Sequence, residues 1–249
     1  MNDFRSHNPA SATVQDMSVD AGLRSFMLGV YNKMALGLLL TGALAWAAAN
    51  VPAITNLMFQ VAPDGRLAGY TLMGYVISFA PVVILLGSGF VMRQPTVAST
   101  SILYWLVVAL IGLSTGANFL VYTGGSLAST FFVTAAAFGA LSLYGYTTKR
   151  DMTGWGKFLF MAVIGLILAS LVNLFLQSTM LYFIVSGLGV LIFSALIAFE
   201  TQNLKNTYYE LGGNQAGMAM ATNYGALSLY ISFVNLFQFL LAFMGVRRD

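Results

Sequence analysis

The sequence predicts an all-α membrane protein, a bundle of about seven transmembrane helices without a separate soluble domain. Three observations carry this reading. First, 58% of the 249 residues are hydrophobic and only 8% are charged, against about 25% charged in a soluble domain. So few polar groups cannot cover a globular surface in water, and lipid must be the solvent for most of it. Second, apolar runs near 30–51, 70–92, 101–122, 126–147, 157–177, 180–200 and 223–245 each match the roughly 20 residues that cross about 30 Å of hydrocarbon. Third, most links between these runs are short, so neighbouring spans form antiparallel hairpins. With no water in the bilayer core to satisfy an open backbone, the runs are helices rather than strands.

Taken in order, residues 1–24 form a polar arm with three Asp, two Arg and the only His. The arm lacks the apolar run of a signal peptide and is too acidic for a mitochondrial transit peptide. It is expected to be disordered or to lie on the cytoplasmic surface, with 25–249 as the transmembrane domain. The first helix starts wet, with Asn32 and Lys33 just inside it, and Lys33 is expected to snorkel to the headgroups. The links PAITNLMFQVAPDGRLAG, RQPTVAST, TGGS, TTKRDMTGWG and QST follow, and a longer polar stretch, 201–222, precedes the last helix. Gly112 and Gly116, and the run Ala135, Ala136, Ala137 followed by Gly139, are small enough to let helices approach closely within the bundle. The hexapeptide GALSLY at 139–144 returns at 225–230, in helices of opposite direction. It is short and built of common membrane residues, and is read as chance similarity rather than as an inverted repeat.

Basic residues set the expected orientation, because cytoplasmic loops retain the excess of Lys and Arg. Arg5, Arg24, Lys33, Arg93, Lys149, Arg150, Lys157 and Lys205 fall on the amino-terminal side, and Arg66, Arg247 and Arg248 on the other. The amino terminus is therefore expected in the cytoplasm and the chain in a bacterial inner membrane. Seven spans would put the carboxyl terminus outside, where the Arg247–Arg248 pair disagrees with the rule, so six spans plus a re-entrant segment is the alternative.

Composition excludes several chemistries. With no Cys there are no thiolate nucleophiles, disulfides or zinc–sulfur sites, and the single His7 in the arm removes most other metal and acid–base schemes. Every Asp lies in the tail, a loop or at the terminus, so paired intramembrane aspartates are absent, and no phosphate-cradling glycine loop or HExxH motif occurs. The chain is expected to be no enzyme, to hold no cofactor or metal, and to bind no nucleic acid, since its basic residues form no aromatic-flanked patch.

An acid that stays within a bilayer is a functional candidate by default. Glu200, ending the sixth run in LIAFETQNLK, is the one to weigh; it is either a gate or a hydrated carboxylate at the headgroup boundary. Arg93, closing the second run in GFVMRQP, can reach the same half. In the last helix Ser228, Ser232 and Asn235, spaced by four and three, share one face, which should turn to the bundle interior. Asn118, Asn173 and Gln177 read as ties between helices.

Four segments in order, DAGLRSFMLGVYNKMALGLLLTG, FGALSLYGYTTKRDM, SALIAFETQNLK and ALSLYISFVNLFQFLL, resemble the Bax inhibitor (transmembrane Bax inhibitor motif) family in its bacterial form, and the resemblance covers nearly the whole chain after residue 20. It implies a seven-helix bundle with the last helix central and a pH-influenced calcium leak. In such relatives two carboxylates latch the path, one ending the sixth helix and one in the seventh, and an Arg from the second helix pairs with them when it is closed. Glu200 matches the first acid and Arg93 the Arg; Ser232 stands where the second acid is expected. The departure matters, since two close carboxylates share a proton and titrate as a pair, which a lone Glu200 cannot do.

Calcium prefers six to eight oxygen ligands, usually with several carboxylates, so Glu200, Ser232 and backbone carbonyls are expected to take Ca²⁺ or another cation weakly, with Ser232 and Asn235 along the seventh-helix wall and Arg93 within about 6 Å of Glu200 when closed. The alternative is a non-transporting regulator that binds other membrane proteins, such as quality-control proteases, through the polar arm.

Overall fold

The computed structural model describes residues 9–248 other than Asp64, with side chains from residue 21 onward. Seven of its helices are long and apolar enough to cross a membrane. The first, α1 (Pro9–Asn50), begins inside the expected arm; the arm's residues 1–8 lie outside the described residues, and 9–24 are the opening turns of α1. Its apolar crossing stretch is Ala21–Asn50. Pro52 ends the run by driving Val51 into an extended conformation, and the chain then forms α2 (Pro52–Met58) and an antiparallel hairpin, β1 (Phe59–Val61) with β2 (Leu67–Tyr70). The hairpin turn passes through Gly65 at φ 81°. The segment expected as a plain link is thus a small folded cap.

The remaining spans each start on a side-chain cap or a turn. Thr71 accepts from Gly74 N at 3.0 Å to open α3 (Leu72–Val91), and Thr96 with Ser99 forms a reciprocal cap on α4 (Val97–Ser114). A short α5 (Ala117–Val121) prolongs α4, and α6 (Gly124–Thr147) starts on Thr123. Before α7 (Trp155–Leu176) the exposed Asp151 accepts from the amide and hydroxyl of Thr153, which holds its carboxyl below the usual range. Gln177 at φ 49° closes α7, where Asn173 accepts from Ser178 N at 3.0 Å. Asn173 and Gln177 therefore build the α7 turn rather than tie helices, while Asn118 does tie, donating to Gln238 at 3.1 Å.

The largest difference from expectation lies at 201–222. Helix α8 (Thr179–Leu211) runs on past Glu200, the turn passes through Gly212 and Gly213 at φ 54° and 86°, and α9 (Gln215–Met244) starts on an Asn214 cap. Hydropathy marks where lipid ends, whereas a helix ends where its backbone finds a stop, here two left-handed glycines. At 1.5 Å per residue α8 and α9 are about 45–50 Å long, so their shared end projects as a helical hairpin beyond a hydrocarbon layer of about 30 Å.

Helix α9 is the most buried span and packs on α8, α1, α6 and α4, while α3 and α7 sit at the periphery with mostly exposed apolar faces. Near its start Asn223 donates to Val97 O and to Thr100 Oγ1, at the start of α4. At its end Thr123 N donates to Val246 O and Arg248 N to Val121 O, beyond α4 and α5. Helix α9 thus crosses the whole bundle alongside α4, and the termini of the bundle lie on opposite faces. This overturns the re-entrant alternative; the Arg247 backbone is drawn to its face by pairing with Tyr122.

In lipid, apolar burial drives association weakly, and close packing with polar ties takes over. Gly112 and Gly116 admit α1, at Leu44 and Ala48, as their spacing led us to expect. Gly139 instead has nothing within 4 Å of a β-carbon position, because α6 stands apart from α1 there. Lys33 Nζ donates to Asn223 Oδ1 and, at 3.2 Å, to Ser101 Oγ near the start of α4, beneath the Tyr104 and Trp105 rings. Because α1 begins well before it, Lys33 lies within a helix flanked by α4 and α9, which supply its acceptors.

Gly145 of α6 faces the backbone of Ala198 in α8, and Gly165 of α7 faces open space. Gly145→Leu is therefore expected to destabilise the protein in detergent by about 1–3 kcal/mol, read as a lowered unfolding midpoint, while Gly165→Leu leaves the midpoint near wild type. Equal midpoints would contradict the α6–α8 packing described.

Candidate functional site

The site is built where α8 and α9 run closest. Gly225 of α9 gives room for the Leu204 side chain, and Gly189 of α8 lies under the Phe239 ring, so small residues on both helices bring the backbones together. In the register this sets, Glu200 meets the polar face of α9. Ser228 Oγ donates to Glu200 Oε1 at 2.5 Å and Ser232 Oγ to Oε2 at 2.8 Å. Both carboxylate oxygens are thus held by hydroxyls one turn apart on α9, as the four-residue spacing allows.

Glu200 is not at a helix end. It lies 11 residues before the end of α8 at Leu211, about 16 Å deeper along the axis. Among the described residues it has no ion pair. Arg93 is exposed in the turn between α3 and α4, with no carboxylate partner within 4 Å among the described residues. Lys205 donates to Tyr146 O at 3.2 Å instead. The carboxylate is therefore held by neutral donors alone, and a charge without a counter-ion at a part-buried position is costly unless it is compensated.

Cavities adjoin Glu200 on two sides. One, of about 400 Å³, opens between α8 and α9 towards their projecting end and is lined by Asn203, Thr207, Tyr224 and Ser228. The other, of about 740 Å³, runs beside α7 from Gly156, in its first turn, past Ser232 and Asn235 to Leu174, and its wall is mostly apolar, with Phe160, Ile167 and Leu171 among its residues. It shares Ser170, Leu174 and Phe239 with a third cavity of about 620 Å³ whose wall includes Asn118, Asn173, Gln177 and Gln238. The polar stripe read from the sequence thus lines these cavities and extends one step further, to Gln238. Asn235 turns its amide to Ile231 O of its own helix at 2.8 Å.

The hydroxyl Ser142 of α6 bonds Thr201 Oγ1 at 3.0 Å on the other side of α8, and accepts from or donates to Tyr31 OH at 2.6 Å. Ser142 and Ser228 are the serines of the two GALSLY segments, so each copy bonds one of the adjacent residues 200 and 201. The sequence offered no signal for the Lys33–Asn223 tie, whose partners are 190 positions apart. Among the described residues no three His, Cys, Asp or Glu side chains gather to hold a metal.

The Glu200 bonds can be weighed by substitution. Ser232→Val removes one donor from a part-buried carboxylate and is expected to cost about 1–3 kcal/mol of stability. In a Glu200→Leu background the same change should cost well under half as much, as measured by unfolding in mixed micelles. An equal cost in both backgrounds would show that the serine acts through packing alone.

Residues 23–249 match the family model described as inhibitor of apoptosis-promoting Bax1. The chain is 60% identical to an uncharacterised protein of Caulobacter vibrioides, with all of both chains covered. It is 44% identical to the inner membrane protein YbhL of Escherichia coli, over 92% of this chain and 94% of YbhL. A Rickettsia prowazekii protein is also 44% identical, over 96% of this chain and 97% of its own length. With its seven spans and a match over nearly its full length, this chain belongs to the Bax inhibitor family.

Proposed function

We propose that the chain is a passive path for a cation, Ca²⁺ or another that binds weakly, gated at Glu200. The observation that carries this reading is the position of Glu200 between two cavities, with only the two α9 serines on its oxygens. A carboxylate at a constriction, without a fixed counter-cation, attracts a mobile one, and its hydroxyl partners can release it at modest cost. Ser232 and Asn235 form the wall beyond it. Two carboxylate oxygens and two hydroxyls fall short of the six to eight ligands of a tight calcium site, which favours passage over storage.

Arg93 is the counter-charge of the closed state in this reading. It has no carboxylate partner in the described arrangement and follows the peripheral α3, whose interior Pro81 breaks one backbone bond. Closure is then a movement of that span towards α8. The address is a bacterial inner membrane, as the name of YbhL states for that relative, with the amino terminus in the cytoplasm by the excess of basic residues on its side.

Calcium entry into proteoliposomes tests this with wild type, Glu200→Gln and Ser232→Asp. Wild type is expected to leak, Glu200→Gln to lower the leak severalfold, and Ser232→Asp to make it steeply pH-dependent by supplying a second carboxylate beside the first. Rates equal to those of empty liposomes in all three would contradict the path and turn attention to a regulator that binds other membrane proteins.

A further inference from the structure

Helices α1 and α6 both pack on α9 but hardly on each other, and the gap between them is a groove open to the surrounding lipid. Its half on the amino-terminal face has a volume of about 590 Å³ and an almost wholly apolar wall running from Arg24 to Leu38 along α1 and from Tyr146 to Phe131 along α6. A second cavity shares Leu38, Phe131 and Phe233 with it and carries the groove on towards the other face. The one polar bridge across the first half is the bond between Tyr31 and Ser142. At its mouth stands Arg24, which is exposed and has no carboxylate partner among the residues whose side chains are described. A second cation, Lys205, sits behind Tyr146, bonded to its carbonyl and 6.0 Å from its ring.

We propose that this groove is a binding site for an anionic phospholipid, with one acyl chain laid between α1 and α6 and the phosphate on Arg24. Length fits: the 14 residues from Arg24 to Leu38 rise about 21 Å, one leaflet of a hydrocarbon layer about 30 Å thick together with its headgroup layer. Charge completes the match, because a guanidinium at the groove mouth recognises phosphate by paired hydrogen bonds. The site is independent of the Glu200 path and stands or falls separately from it.

The test is native mass spectrometry of the delipidated full chain with phosphatidylglycerol and phosphatidylcholine of identical acyl chains. Wild type is expected to retain one phosphatidylglycerol in preference to phosphatidylcholine. Arg24→Ala should reduce that preference about fivefold, and Arg24→Lys should restore part of it. Gly139→Trp, which places a ring in the groove where Gly139 has no neighbour, should lower occupancy by both lipids with the unfolding midpoint retained. Lys149→Ala, on the same face but away from the groove, should change neither. Equal retention of the two lipids by wild type would overturn the proposal, as would wild-type behaviour of both Arg24→Ala and Gly139→Trp. A dimer lost on Gly139→Trp with lipid binding unchanged would also overturn it and assign the groove to a second copy of the chain.

Discussion

The bilayer supplies no water to its core, so every polar group placed there has to find a partner inside the protein. In this chain most of those partners sit on α9. Asn223 serves Lys33 and the start of α4, Ser228 and Ser232 hold Glu200, Tyr230 bonds Thr41 of α1, and Gln238 accepts from Asn118. Five side chains spread over four turns thus tie the last helix to α1, α4, α5 and α8. The central place of α9 follows from this distribution. A helix carrying so many hydrogen-bonding groups is unfavourable against lipid and is stable only when other spans surround it.

The same constraint separates the helices by role. Helices α3 and α7 carry few polar groups and have broad apolar faces towards lipid, so they can shift at little polar cost. The pair α8 and α9 is fixed by Gly225, Gly189 and the Glu200 bonds. In the proposed gate, Glu200, part-buried between α8 and α9, supplies the fixed charge and a peripheral span the movable wall. The aromatic residues Tyr104 and Tyr230, fully buried and edge to face at 6.3 Å, brace α4 against α9.

Much of the fold was legible because composition and run length report the solvent directly. The seven spans, and the α9 stripe whose Ser228 and Ser232 meet Glu200, follow from spacing and cost. Periodicity, however, assigns a residue to a face and is silent on which neighbour that face meets. It therefore missed the Lys33 tie to Asn223, whose two halves lie in the first and last helices, and it gave Asn173 an interhelical role when its oxygen caps a turn. It also ended the sixth helix at Glu200, because polar residues begin there; the helix continues to Leu211, so Glu200 lies within a continuous helix and not at its end. Arg93 was matched to Glu200 by family position, and a position in sequence does not specify the state of the molecule in which two groups meet.

A path gated at Glu200 requires water to reach that residue from both adjoining cavities. The absence of native cysteine allows single thiols to report this directly. With Asn203→Cys below Glu200 and Gln238→Cys beyond it, a membrane-impermeant thiol reagent added to one face of reconstituted vesicles should modify only the cysteine on that face. Combining either with Glu200→Ala should open both positions to both faces. Modification of each cysteine from both faces with Glu200 intact, or from neither face in any variant, would contradict the account.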